Sequence, residues 1–260
     1  MRKSLLSLAV ISAFATPSLS FAADAAPASP HTVTYNVGLY SQYIFRGLTQ
    51  TNEDIALQGG VDYAHASGFY AGAWASNVSW LTDPLPPTAA YTSSSLELDL
   101  YGGYASTIGD TGLGYNVGAL QYIYPGSKVA GAKSAETTEV YGSLSYKWLA
   151  AKLSVVVSNG VFGFRNGDGT WYAEANANYP ILDTGVTANL HLGRQEFKGQ
   201  GTNVFDYTDW KIGATKSWIN GVNLGAYYSD TNAKDAGYLV AATNKNIGDS
   251  AFTVFIQKTF

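Results

Sequence analysis

The sequence predicts an all-β protein: a transmembrane antiparallel up-and-down β-barrel of about twelve strands, with short periplasmic turns and longer extracellular loops. Three observations predict it. Apolar and polar residues alternate in segment after segment, as in strands with one apolar and one polar face. The connections between these segments take turns at being short and long, which is the habit of bacterial outer-membrane barrels. Only 13% of the residues are charged, while Tyr numbers 19 and Gly 28; ordinary soluble domains carry about 25% charge. A secreted β-sandwich is the competing reading, but it offers no physical reason to sort loops by length.

The N-terminus reads as a secretory signal. Arg2 and Lys3 precede the apolar run Leu5 to Ala15, and Ser20 and Ala22 sit like a cleavage site. The run is too short for a membrane-spanning helix, which needs about 20 residues. The expected domains are a signal peptide at 1–22, a short leader at 23–31 and a barrel at 32–260. Removing the signal takes away two basic residues and no acid, moving the formal charge from −4 to −6. That balance gives no basic patch for a nucleic-acid partner. There is no cysteine, so disulfides and thiolate metal sites are excluded.

The strands follow in order. In the first, Val33, Tyr35, Val37 and Leu39 oppose Thr34, Asn36 and Gly38. Next, Leu57, Val61 and Tyr63 oppose Gln58 and Asp62. After the Ser67-Gly68 turn comes Phe69 to Val78. Then Leu96, Leu98 and Leu100 alternate with Glu97, Asp99 and Tyr101, followed by Leu113 to Tyr124. Val140, Leu144 and Tyr146 oppose Tyr141, Ser143 and Lys147, and Leu153, Val155 and Val157 oppose Lys152 and Ser154. The second half sets Ala173, Ala175 and Ala177 against Glu174 and Asn176, then Leu190 and Leu192 against His191. It continues with Trp210 and Ile212 against Asp209 and Lys211, and with Val222, Leu224 and Tyr228 against Asn223. The last segment places Phe252, Val254, Ile256 and Phe260 on one face. A closing aromatic strand of this kind suits recognition by the outer-membrane barrel assembly machinery. Lys258 interrupts its apolar series, but near an interface a lysine can extend its charge to water.

A carboxylate facing hydrocarbon costs free energy, so the leucines of Leu96 to Leu100 are expected to face lipid and Glu97 and Asp99 the interior. The expected pore-lining set is Arg46, Asp62, Glu97, Asp99, Glu139, Lys147, Lys152, Glu174, His191 and Lys211. Charged rings in a lumen tune ion selectivity; the plainer reading is that the charges pair and fill the interior. An interior of about eight strands is filled and one of sixteen is open, so twelve leaves both possible. Trp80, Trp148, Trp171, Trp210, Trp218 and Phe260 are expected at the membrane interfaces. Core packing or a sugar-stacking role would use the same residue types.

The blocks Tyr43–Thr51 (YIFRGLTQT), Ala56–Val78, ELDLYGGY, Tyr115–Gly126 (YNVGALQYIYPG), EVYGSLSYKW and YTDWKIGATKSW resemble the TorF-type porin family of proteobacteria. The resemblance covers nearly all of the mature chain. It implies an outer-membrane barrel with a pore role and supplies no catalytic residue.

Enzyme readings are weaker. His65-Ala66-Ser67 has the spacing of a His-x-Ser pair of outer-membrane phospholipases, but a nucleophilic serine needs an orienting third group. The strand count also puts it at a periplasmic turn. His31 falls in the leader; a metal site needs converging ligands, and His31, His65 and His191 lie far apart in the sequence. Phe164–Thr170 (FRNGDGT) lacks the later acidic ligands of a calcium loop and reads as a hairpin. The expectation is therefore a channel, not an enzyme, that passes small polar or charged solutes by diffusion through a charged lumen and needs no cofactor. A narrow substrate-specific channel or a plugged structural barrel is the alternative. Its surroundings would be outer-membrane lipid and lipopolysaccharide.

Overall fold

The computed structural model describes residues 29–83, 91–199, 204–241 and 243–260. The signal segment and the proline-rich stretch Pro84 to Pro87 lie outside the described residues. Twelve long strands form one closed antiparallel barrel. They are β1 (His31–Tyr40), β2 (Ala56–His65), β3 (Phe69–Asn77), β4 (Leu96–Thr107), β5 (Leu113–Ile123), β6 (Thr137–Tyr146), β7 (Leu149–Val156), β8 (Trp171–Ile181), β9 (Val186–Glu196), β10 (Tyr207–Ser217), β11 (Val222–Thr231) and β12 (Ala251–Thr259). Each strand pairs with its neighbours in sequence, and β12 closes on β1 with Leu39 opposite Ile256. Closure leaves no free sheet edge.

The side-chain period sets the faces. Val33, Val37, Leu57, Leu100, Leu144, Leu153, Leu190 and Ile212 are exposed on the outer wall, whereas Gln58, Glu97, Asp99, Glu139, Ser154 and Asp209 are buried inside. The inner wall is crowded enough to need missing side chains. At Gly72 an added Cβ would meet the Tyr101 ring, and at Gly103 it would meet the Tyr70 ring. Glycine lets these tyrosines lie across the lumen wall.

Long and short connections take opposite ends. Residues 66–68, 108–112, 147–148, 182–185 and 218–221 link strands at the end where β1 begins and β12 finishes; the longer segments lie at the other. Outward aromatics ring the short-turn end: Phe69 meets Tyr104 edge-on at 5.1 Å, and Trp148 meets Tyr179 at 5.6 Å. Lys216 and Lys258 reach back to the carbonyls of Thr184 and Asn220 there. Strand β8 runs through Pro180 to Ile181, further than the alternation alone suggests. His31 is not part of a leader but the first residue of β1, paired with His65.

The outer face yields a direct test. Leu153 is 47% exposed at mid-strand, and an arginine at the bilayer midplane of a barrel costs about 2–4 kcal/mol. Leu153→Arg is expected to lower stability by that amount in denaturant unfolding in lipid vesicles.

Candidate functional site

The segment between β1 and β2 folds back into the barrel mouth. Within it Ile44–Phe45 pairs with Leu48–Thr49 around an Arg46-Gly47 turn. Both turn residues have positive φ, 48° and 80°, the requirement of a type I′ hairpin turn. Glycine accepts that conformation freely; arginine is held in it by what its side chain touches. Arg46 Nη2 donates to Glu139 Oε2 on β6 at 2.7 Å, and Nη1 donates to Gln195 Oε1 on β9 at 3.0 Å. The guanidinium lies 4.4 Å from the centre of the Tyr172 ring on β8. The hairpin leaves β1 and returns to β2, so its tip crosses the lumen to the opposite wall.

Apolar residues anchor the hairpin. Phe45 packs edge-on against Tyr122 and Phe162, and Tyr43 against Trp74. Tyr43 also donates to Glu97 at 2.9 Å. On the other side Leu48 joins a cluster of Tyr207, Tyr238, Val240 and Ile247. The Thr49 amide donates to the Ile247 carbonyl at 2.8 Å, and Lys245 pairs with Glu53 at 2.7 Å. Burial holds the Tyr238 phenol above the ordinary tyrosine range, so it stays a donor, to the Phe205 carbonyl at 2.6 Å. The mouth of the barrel is thus packed by its loops.

Beneath the hairpin lies a polar layer. Tyr172 donates to Asp209 at 2.9 Å. His191 Nε2 is 2.9 Å from Asp209 Oδ1, and Nδ1 is 2.8 Å from Asn176 Oδ1. Asn176 in turn donates to Glu174 at 3.1 Å, and Lys152 stands 3.9 Å from the same carboxylate. Lys211 lies over the Tyr227 ring at 5.0 Å. A space of about 30 Å³ remains between Arg46, Tyr172, Glu174, His191, Asp209 and Lys211, room for a water or two rather than for an organic solute.

The short-turn half of the interior differs. Asn116, Asn178, Asn189 and Thr215 point inward there; Asn189 donates to Asn178 at 2.7 Å and accepts from Thr215 at 3.0 Å.

Most of the charged residues expected inside do face the interior: Asp62, Glu97, Asp99, Glu139, Lys152, Glu174, His191 and Lys211 from the strands, and Arg46 from the hairpin. Lys147 does not. It sits exposed in the two-residue turn after β6 with φ of 55°, where the alternation has already ended. Trp80 is not at an interface either. Its ring packs edge-on against Tyr124 with its indole nitrogen buried, because the segment after β3 turns inward. Trp148 and Trp218 are outward at the short-turn end, Trp171 and Trp210 stand near the opposite rim, and Phe260 is 67% exposed. Asp209, two residues before Lys211 on the same face, belongs to the site and was legible by that spacing. Tyr43, Tyr172 and Gln195 carry no charge and no sequence signal for the role.

Comparison with solved structures agrees with the architecture. The KdgM porin aligns with a TM-score of 0.51 at 9% identity, over 88% of this chain and 98% of that one. The KdgM porin in complex with disordered oligogalacturonate gives 0.52 at 8% identity over the same shares. The COG4313 outer membrane channel from Pseudomonas putida F1 gives 0.45 at 14% identity, over 91% of this chain and 100% of that one. The fold, a closed antiparallel barrel, is that of the KdgM porin. No curated protein matches the sequence. The profile described as "Bacterial protein of unknown function (Gcw_chp)" matches residues 24–260, so the chain belongs to the Gcw_chp family.

Proposed function

We infer that this protein is an outer-membrane channel for small polar solutes, constricted by its first long loop and lined by an acid-rich layer. The observation that carries this reading is the composition of the inner wall. Asp62, Glu97, Asp99, Glu139, Glu174 and Asp209 face inward against Arg46, Lys152 and Lys211 as fixed cations. A barrel built only to be filled would gain more from apolar packing than from so many buried charges. An excess of carboxylates in a low-dielectric lumen raises the local concentration of cations. The acidic oligosaccharide named with the KdgM porin is of the sign this lumen would disfavour. The TorF-type resemblance of the sequence blocks supports the same reading.

In the membrane the short turns and both chain ends would lie in the periplasm, and the long loops outside. The strand ending in Phe260 would present itself to the assembly machinery, and the outer wall to lipid and lipopolysaccharide. No covalent chemistry is part of the reading. His65 and Ser67 sit at the first short turn, where they shape the chain reversal. A second reading, a closed structural barrel, is favoured by the packed mouth.

Single-channel current across a planar bilayer under a salt gradient separates the two. Small discrete steps with a cation-preferring reversal potential are expected. A folded barrel that gives no steps, both as wild type and with Arg46 removed, would leave the structural reading standing.

A further inference from the structure

Two histidines from opposite ends of a hairpin meet on the outer face, at the short-turn end of the barrel. His31 opens β1 and His65 closes β2, directly opposite each other in the register. Both share the outward face with Val33 and Tyr63, and their ring centroids are 5.1 Å apart. Cross-strand partners on one face hold their side chains within mutual reach.

Each ring is oriented through the same nitrogen. His31 Nδ1 is 2.8 Å from the Tyr63 hydroxyl; His65 Nδ1 is 2.6 Å from Ser67 Oγ and accepts from the Ser67 amide at 3.2 Å. Among the described residues neither Nε2 has a hydrogen-bond partner. The two unengaged nitrogens belong to neighbouring rings tilted 56° to each other.

We propose that His31 and His65 form a metal site, in which Nε2 of both rings binds one Zn²⁺, Ni²⁺ or Cu²⁺ ion and water completes the coordination. Imidazole suits these ions. With each nitrogen about 2.0–2.1 Å from a shared ion at a tetrahedral angle, the ring centroids stand roughly 5 Å apart, which is the separation present. Ligating histidines commonly anchor their second nitrogen to an oxygen partner, which fixes tautomer and orientation. Tyr63 and Ser67 supply those oxygens. In the metal-bound form Nδ1–H of His31 donates to the Tyr63 hydroxyl, and His65 changes tautomer: Nδ1 gives up the Ser67 amide it accepts from in the metal-free form and donates to Ser67 Oγ, freeing the Nε2 lone pair. Among the described residues no group of three or more His, Cys, Asp and Glu side chains converges, so the site is a two-ligand one. It is open to solvent and exchangeable, unlike a four-ligand structural centre.

The test uses the full-length barrel in detergent micelles, without a histidine tag, titrated with Zn²⁺ and with Ni²⁺ by calorimetry near neutral pH. One ion per chain is expected for the wild type, with affinity at least tenfold weaker in both His31→Gln and His65→Gln. Heat-modifiable gel migration verifies that each variant is folded. Cu²⁺ electron paramagnetic resonance on the wild type gives an answer independent of the variants. Hyperfine coupling to two equivalent imidazole nitrogens is expected. Equal binding by wild type and variants, or coupling to one nitrogen or none, overturns the proposal.

Discussion

Arg46→Ala is expected to raise single-channel conductance several-fold and to lengthen the open time. The guanidinium is the contact that pins the hairpin tip to the far wall, through Glu139, Gln195 and the face of Tyr172. Both partners of the ion pair are buried, with side chains 4% and 2% exposed. Removing one member of such a pair typically costs about 3–5 kcal/mol, because the other charge is left uncompensated. Here a loop that can leave the lumen offers a cheaper outcome: the tip withdraws, water enters, and Glu139 is rehydrated. The penalty therefore emerges as a shift between closed and open forms rather than as loss of the barrel. Arg46→Gly separates two effects. It removes the same contacts but accepts the positive φ without strain, so the turn itself is kept. If Arg46→Gly opens the channel as far as Arg46→Ala, the contacts are responsible and not the turn. Unchanged conductance in both variants would mean that the apolar anchors at Phe45 and Leu48 alone hold the hairpin, and the latch assignment would be wrong.

The strands and their facing were legible because a period of two is imposed by the backbone. Once Leu96, Leu98 and Leu100 are outward, Glu97 and Asp99 must be inward. What the pattern could not reach is set by tertiary contact. The hairpin's apolar residues Ile44, Phe45 and Leu48 sit in a segment that strand counting treats as loop, and their burial depends on partners such as Tyr122 and Tyr207 far along the chain. Apolar side chains beside an Arg-Gly turn are the one sequence signal that this loop packs against other parts of the chain. Trp80 was misplaced for the same reason: an aromatic near a strand end serves an interface or an inward loop equally well. Lys147 was misplaced by carrying the alternation one residue too far, past the point where its φ turns positive. The meeting of His31 with His65 required the β1–β2 register, which is set across the long segment 41–55 and not by a short turn.

Glu97→Gln combined with Asp99→Asn is expected to lower cation preference and also to stabilise the barrel. The two carboxylates stand two residues apart on one face of β4, 2% and 3% exposed. Tyr43 donates to Glu97, but Asp99 Oδ1 is buried without a hydrogen-bond partner, and among the described residues neither carboxylate is ion-paired. Like charges held this close in a low-dielectric wall repel, and Asp99 Oδ1 loses hydration that no hydrogen bond repays, while Glu97 accepts from Tyr43 and Tyr124. Such an arrangement is retained against stability when it serves the passage of something positive. Neutral amides of the same shape keep the Tyr43 contact and remove the repulsion. A gain of about 1–3 kcal/mol is the expected scale for relieving a buried unsatisfied polar group, readable as a higher unfolding midpoint in denaturant. The reversal potential under a salt gradient should move at the same time toward anions. A more stable barrel with unchanged selectivity would place the two acids away from the ion path, and the filter would then belong to the Glu174, His191 and Asp209 layer. A less stable barrel would show that the carboxylates have a counter-charge in the membrane, a cation bound between them, and that the lumen holds an ion even when the hairpin is shut.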